Sequence, residues 1–462
     1  MSMVTSIPVD PKKETLYPYW EVIPATISVK FWFFNIENPN EALNGKKIRV
    51  SEKGPYAFKL QKRREGIEWS SDKFRIKYFD VETYIIDENA TIGSFDDLLT
   101  TINPLVAAMN EQLIEPFSKL PSVVSPFIYG TLSGILRIFG QNLFTRQTVR
   151  ELIFGKRNQL LDTIVTLMKP FDLLGIKIKQ FPKEALPPNN TFGLLVGRNN
   201  TRTGPLEIYS GIDGKHRPGR IISWKGQKLL KKWKGKSCNM INGSDGTFYD
   251  PGLTNGQPLY IFAPDLCRSL RLQFVRATEF EGIAVFDYTF DEKMMRGIDE
   301  EPSNDCFCVH SDINKCKVNG FIDLSGCFFG TPLLMSKPHF LNAPHLVNQI
   351  EGLNPRIELH ESSFLIEPTT GIILGGRGSF MYSVRITENK RFRIIGNLPT
   401  SFVPFVWVKQ SAYATAEEAK EMRLKFIYPI TFAKYVLTSI PIGLAAFLLF
   451  IMVKGVNERK NV

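Results

Sequence analysis

All six cysteines of this 462-residue chain lie between positions 238 and 327. They are Cys238, Cys267, Cys306, Cys308, Cys316 and Cys327. An even count confined to one region requires either a disulfide framework or a metal site. Zinc sites favour paired C-x-x-C ligands. The closest pair here is Cys306-Phe-Cys308, and no second pair mirrors it. Four acceptor sequons, at Asn89, Asn189, Asn199 and Asn242, fall in polar or turn-like stretches, where a bulky glycan can be carried. Together these features point to the secretory pathway and to disulfides, with fifteen pairings open at this level.

A second constraint lies near the C-terminus. Tyr435 to Val453 is an uncharged run of 19 residues between Lys434 and Lys454. As a helix it is roughly 28 Å long, about the thickness of a hydrocarbon layer. Pro441 within it is tolerable in a membrane span. The tail beyond, 454–462, carries Lys454, Arg459 and Lys460 against Glu458, a balance that suits the cytoplasm. The large N-terminal part is then extracytoplasmic. The first 20 residues, with Pro8, Asp10, Pro11, Lys12, Lys13 and Glu14, read as neither signal peptide nor membrane helix. The expectation is an incomplete or alternative N-terminus, and no glycans on the chain as written. Another uncharged stretch, 120–136, is broken by Pro121, Pro126, Gly130 and Gly134, and is expected to be a packed or surface-presented apolar helix.

The net charge of +11 suits anionic partners such as acidic or oxidised lipid and glycans. Nucleic acid is not expected as a partner. The one dense basic stretch, 225–236, comes with no zinc-finger or RNA-binding signature and reads as a solvated loop.

Residues 47–60 and 74–86 read as strands, with Gly54-Pro55 as a turn between extended pieces. From Phe95 the spacing of Leu98, Leu99, Ile102, Leu105, Val106 and Met109 predicts a helix. Further helices are expected over 123–139, after the Thr148/Glu151 capping box with Gly155 as its stop, and from Asn158. Beyond Pro187-Pro188 the chain returns to strands and turns. In 379–387, Phe380, Tyr382, Val384 and Ile386 alternate onto one face. Strands without regular intervening helices imply antiparallel pairing, and closure into a barrel removes exposed edges. Ala414 to Phe426 reads as a helix leading to the membrane. The fold class is thus α+β: a large irregular antiparallel β-barrel with inserted helices and a C-terminal transmembrane helix.

Enzyme motifs fail. Gly235-Lys236-Ser237 lacks the earlier P-loop glycine, since Leu230 stands there, and Gly376-Arg-Gly378 lacks its third glycine. There is no G-x-S-x-G elbow. His339 and His345 sit in a proline-bearing loop and read as structural. No cofactor or metal is expected, and the chain is not read as an enzyme.

The run Trp233 to Gly243, containing Cys238-Asn-Met-Ile-Asn-Gly243, resembles a signature of the class B scavenger receptor family. Ordered matches follow at Lys30-Phe-Trp-Phe-Phe-Asn35, Lys53-Gly-Pro-Tyr56, Val149-Arg-Glu-Leu152, Asp265-Leu-Cys-Arg-Ser269, Cys306-Phe-Cys308, Pro338-His-Phe-Leu341, Gly352-Leu-Asn-Pro355 and Ile366-Glu-Pro368. The resemblance covers about Tyr17 to Val453. It implies a glycosylated ectodomain between two membrane helices, with a barrel that conducts lipid and a helical bundle at its apex. The implied bonds are Cys238–Cys306, Cys267–Cys327 and Cys308–Cys316. The implied organisation is a stub at 1–16 lacking the family's first membrane helix, then an ectodomain at 17–434. The ectodomain has apical helices at 95–168 and a disulfide region at 238–327. A span at 435–453 and a tail at 454–462 follow. Some relatives capture lipoprotein with a basic cluster at the apex; here Lys119, Arg137, Arg146, Lys156 and Arg157 are thinly spread.

The expected function is a membrane receptor that binds fatty acids, other lipids or lipoprotein-like particles and passes lipid through an internal tunnel. The alternative is an adhesion or protein-cargo receptor that uses the apex. Residence at the plasma membrane is expected, with a lysosomal or endosomal membrane as the alternative. Ligand capture is expected at Phe127, Ile128, Tyr129, Leu132 and Phe139. Phe127, Ile128 and Tyr129 are expected in an exposed loop or helix end, because Pro126 and Gly130 flank them.

Overall fold

The computed structural model describes residues 8–10, 12, 17–23, 25–118, 124–161 and 188–429, with scattered residues from 432 to 451. Eleven strands form the path of one sheet. In chain order they are β1 (Ile27–Ile36), β2 (Ile48–Trp69), β3 (Arg75–Ile86), β4 (Arg202–Tyr209), β5 (Ile221–Trp224) and β6 (Leu259–Ala263). Then come β7 (Arg268–Phe280), β8 (Ile283–Phe290), β9 (Ser363–Ile366), β10 (Ile373–Ile386) and β11 (Ser401–Tyr413). Their spatial order is β6-β7-β8-β9-β10-β11-β1-β2-β3-β4-β5, and every pairing along this path is antiparallel.

The two end strands of this path, β5 and β6, nearly meet. The segment Gly243-Ser244 lies between them. Ile221 N–H donates to the Gly243 carbonyl (3.1 Å), Ser244 N–H to the Tyr260 carbonyl (3.1 Å), and Phe262 N–H to the Ser244 carbonyl (3.1 Å). The sheet therefore curls into a nearly closed barrel, which leaves few backbone groups unpaired at an edge. Gly243 has φ +95°, and a Cβ there would collide with the Tyr260 carbonyl, so glycine is required at the seam.

Two strand expectations change. Gly54-Pro55 is not a turn but a bulge inside the continuous β2. Phe31 pairs with Tyr56 and Phe33 with Lys53, so two residues of β2 oppose Trp32 alone. A Cβ at Gly54 would stand 2.6 Å from the Phe31 carbonyl oxygen. In β10 the register slips between Tyr382 and Ser383. The extra residue is Phe405 of β11, between the Tyr382–Val406 and Ser383–Pro404 pairs. Phe380 and Tyr382 pack toward β1, β6 and β7, while Val384 and Ile386 join Met381 in a different apolar core.

Residues 98–102 also differ from expectation. They form a strand paired antiparallel with Phe144–Thr148, and the helix begins only at Pro104, running to Ser118 (α1). Proline suits the first helical turn, and Asn103 Oδ1 accepts the Leu105 N–H (3.1 Å) as a cap. The next helix, α2, is Val124–Ile138. The one after it, Val149–Phe154, carries both halves of the Thr148/Glu151 capping box and ends at Gly155 with φ +99°. From Asn158 helical residues follow to 161; residues 162–168 lie outside those described. Near the C-terminus Ala416–Met422 is helical, capped by Thr415 and Glu418, and a π-turn covers Arg423–Ile427.

Among the described residues no helix is long and apolar enough to cross a membrane. Most of 435–453 lies outside the described residues. Those described within it, such as Tyr435, Ile440, Phe447 and Ile451, are helical and exposed.

Candidate functional site

Strand alternation decides what faces the barrel interior. Phe58, Leu60, Lys62 and Arg64 fall on one face of β2, and Tyr78, Asp80, Glu82 and Tyr84 fall on the matching face of β3. The apolar half of each row is core; the charged half is not a solvated surface. Lys62 Nζ pairs with Glu82 (2.7 Å), and Tyr84 donates to the same carboxylate (2.8 Å). Arg198, on the loop before β4, pairs with Asp265, on the turn after β6, at 2.9 Å.

These groups act on one another across the barrel. Burial draws the Lys62 ammonium down, but Glu82, Asp80 and Asp265 together hold it above its ordinary range. Burial lifts the Tyr382 phenol to about 12, against the opposing pull of Arg198 and with a further push from Asp265. The side chains come from β2, β3, β10 and two loops, yet they keep open surface: 33% for Lys62, 35% for Arg198 and 57% for Asp265. These paired charges are therefore partly exposed to water and are not packed core.

Below this ring the interior closes. Arg64 donates to Asp245 (3.0 Å), to Thr247 (2.6 Å) and to the Trp20 carbonyl, and lies over the Trp20 and Tyr78 rings. Tyr78 donates to Asp245 (2.8 Å). Burial raises the nearby Asp80 carboxyl to about 6, offset in part by Arg64 and Lys62. A buried cation is tolerated only with such compensation. Arg268 at the start of β7 is the exception. It is buried, burial alone depresses it to about 9, and its guanidinium lies 3.6 Å above the centre of the Phe307 ring.

The expected ligand residues at the helical insertion separate. Residues 126–130 are not a loop but the first turns of α2, and that helix is amphipathic. Ile128, Tyr129 and Leu132 are buried in the same core as Val106 and Leu113 of α1, and Tyr129 packs on Phe392. Phe139 is partly buried against that core. Ile128 and Tyr129 are therefore corrected from exposed to core, because helical period carries them inward with Ser125, Leu132, Ser133 and Leu136. Phe127 stays at the surface, 77% exposed, as does Ile138 at 83%.

The six cysteines join as Cys238–Cys306, Cys267–Cys327 and Cys308–Cys316, with Cα separations of 5.9, 5.6 and 5.8 Å, the three pairs that the resemblance implies. Asn89, Asn189 and Asn199 are exposed. Asn242 is half-buried at the barrel seam, where Ser269 Oγ accepts its N–H (2.9 Å), and Ser244 of its sequon is buried. His339 is structural. Its Nε2 bonds Glu52 (2.7 Å), its Nδ1 accepts the Asn354 N–H (3.1 Å), and its ring stacks on His360 at 4.6 Å.

The sequence alone does not single out these paired charges. Each is an ordinary residue in an ordinary stretch. The signal was positional: Lys62 and Arg64 continue the inward register that Phe58 and Leu60 begin.

The model of the CD36 family matches residues 2–454. Mouse lysosome membrane protein 2 is 30% identical over 407 residues, which is 87% of this chain and 78% of that protein. Mouse scavenger receptor class B member 1 is 29% identical over 453 residues, covering 97% of this chain and 82% of the relative. The human lysosome membrane protein 2 is 28% identical over 91% of this chain. With three disulfides, a nearly closed antiparallel barrel and a family match from end to end, the chain belongs to the CD36 family.

Proposed function

We propose that this chain is a membrane-anchored scavenger receptor that takes up lipid or lipid-bearing particles and passes lipid through the barrel interior to the bilayer. The observation that carries this reading is the cluster of Lys62 with Glu82 and Arg198 with Asp265, which act on one another and on Tyr382 and keep open surface; we read it as a ring that lines a lumen. Beside it the partly buried rings of Phe380 and Tyr382 offer an apolar wall, packed against the buried Phe31, Phe58 and Leu60. Such a lining suits an amphiphile: the chain buries against the wall, at about 0.8 kcal/mol per CH₂, and the polar end meets the ring. Anchoring is supported by the helical, exposed apolar side chains of Phe432, Tyr435, Ile440, Phe447, Leu448 and Ile451, which water does not favour. The names of the relatives, a lysosome membrane protein and a scavenger receptor, agree with a membrane receptor rather than a catalyst.

A photoactivatable fatty acid, cross-linked to the purified full chain and mapped by mass spectrometry, tests the route. Label is expected on the peptides bearing residues 58–62, 82–84 and 380–382. Label confined to the helical insertion would remove the lumen from the function. A second reading, a protein-cargo receptor, is favoured by Phe127 and Ile138, two large apolar side chains exposed on one helix. It predicts that a Phe127→Ser variant loses a partner protein while keeping lipid labelling.

A further inference from the structure

The basic stretch 225–236 is mostly exposed, and one of its lysines, Lys228, also lines a cleft. The cleft, of about 500 Å³, is built on the β4–β5 hairpin and falls within the size range of ligand sites. Lys215, Arg217 and Arg220 converge on the same cleft. Among the described residues none of the four cations makes an ion pair, and no carboxylate lines the cleft. Arg217 is tied only to the Pro251 carbonyl, at 3.5 Å. Asp213, at the rim, is already engaged. Its carboxylate accepts the N–H groups of Lys215 (3.1 Å) and His216 (3.0 Å) and bonds the His216 ring. That ring stacks on Tyr209 at 4.1 Å and fixes one wall. Ile221 and Ile241 form an apolar floor.

Position says which anion is within reach. The cleft stands at the end of the barrel where both ends of the chain arrive. Val9 N–H donates to the Ser210 carbonyl (2.9 Å), one residue from Tyr209. Ile221, Ile241, Trp20 and Phe426 share one apolar cluster. Tyr435, where the apolar run begins, stands nine positions after Phe426 in the sequence, a stretch that the chain can extend to at most about 30 Å. Four unpaired cations over an apolar floor at that end match a group that is anionic at its tip and apolar below.

We propose that this cleft binds the phosphate of an anionic phospholipid headgroup in the leaflet that the barrel faces. The inference rests on the membrane anchoring proposed above and adds a site separate from the lumen. A phosphate at this place meets fixed positive charge without displacing a competing carboxylate, and its attraction falls as salt rises.

The test uses the full chain reconstituted in nanodiscs of equal parts phosphatidylcholine and phosphatidylglycerol, with retained lipid identified by native mass spectrometry. Each cation near an anionic surface contributes about five-fold in affinity, so Lys215→Gln with Lys228→Gln is expected to lower phosphatidylglycerol enrichment about thirty-fold. Both side chains are exposed, so the fold should survive; Arg220→Gln repeats the test on an independent exposed residue. Equal phosphatidylglycerol retention by the parent and both variants overturns the proposal. Enrichment abolished by millimolar inorganic phosphate assigns the cleft to free phosphate and overturns the lipid assignment. Failure of the parent chain to enter discs of phosphatidylcholine alone removes the anchoring reading itself, a separate outcome from indifference to headgroup.

Discussion

The molecule has two halves that are held in different ways. In one, α1 and α2 pack with β1, β10, β11 and the 392–402 segment into a single large apolar core that contains no cysteine. In the other, from about 211 to 330, the β7–β8 hairpin is long but β5 and β6 are short, 3-10 turns and loops are frequent, and all three disulfides lie there. Long strands and amphipathic helices bury enough apolar surface to offset chain entropy. Loops bury little and gain more from cross-links, which act mainly by restricting the unfolded chain. The seam that closes the barrel falls in the cross-linked half, so closure depends on the part least able to hold itself.

The largest expected effect tests that contrast directly. Replacing Cys238 and Cys306 together by Ala opens a loop of 68 residues' separation and should cost about 4 kcal/mol, against about 2.5 kcal/mol for Cys308 with Cys316, eight residues apart. Thermal unfolding of the purified full chain would show both. Equal losses would mean that strain or local packing, not loop length, sets their worth.

Next is the seam itself. Gly243→Ala should destabilise by about 3 kcal/mol, since it adds both a left-handed backbone penalty and a collision with the Tyr260 carbonyl. The loss should appear with faster amide exchange in β5 and β6 and not in α1. Uniform exchange would show that the two halves unfold as one unit.

Acid should act on the cysteine-free half. Burial and the neighbouring His339 hold the His360 imidazole at about 4, well below the ordinary histidine value. Its Nδ1 accepts the Arg356 N–H (3.0 Å), so the folded ring is neutral. The unfolded chain takes the proton first. Stability is therefore full above about pH 6.5, declines as pH falls toward 4, and levels off below; the drop is up to about 3 kcal/mol. Loss of the Glu52 contribution follows at lower pH in the same direction, because its hydrogen bonds to His339 and Trp407 hold its carboxyl below the usual range despite burial. Denaturant titrations at pH 7.5, 5.5 and 4.5 would measure the slope. His360→Asn, which keeps an acceptor but cannot titrate, should flatten it.

The smallest effect belongs to the surface of the stable half. Phe127→Ser should change stability by less than about 0.5 kcal/mol, because the ring is exposed. Tyr129→Ser should cost about 3 kcal/mol, because that ring is core. Comparable melting temperatures for the two variants would contradict the placement of α2.

Much of this was legible in the residues. Local rules found the Thr148/Glu151 cap, the extent of α2, the helix after Thr415 and the antiparallel character of the strands, because each depends on neighbours within a few positions. The errors came where a distant partner decided. Leu98–Ile102 has helical spacing, but Phe144–Thr148 supplies a strand to pair with. Gly54-Pro55 looks like a turn, but pairing with β1 makes it a bulge, where the Phe31 carbonyl leaves no room for a Cβ. Tyr129 looks exposed between Pro126 and Gly130, but Phe392 covers it.

The sequence by itself determined the alternation of strands and the covalent framework's location, since cysteine placement and period-two patterning are written in the order of residues. Tertiary structure alone decided which charges meet. Lys62, Arg198 and Asp265 are far apart along the chain, and each taken singly is an ordinary surface residue. Only closure of the barrel, over Gly243 and Ser244, turns them to face one another, because a charge's meaning is set by what stands across from it, and that distance is fixed by the fold.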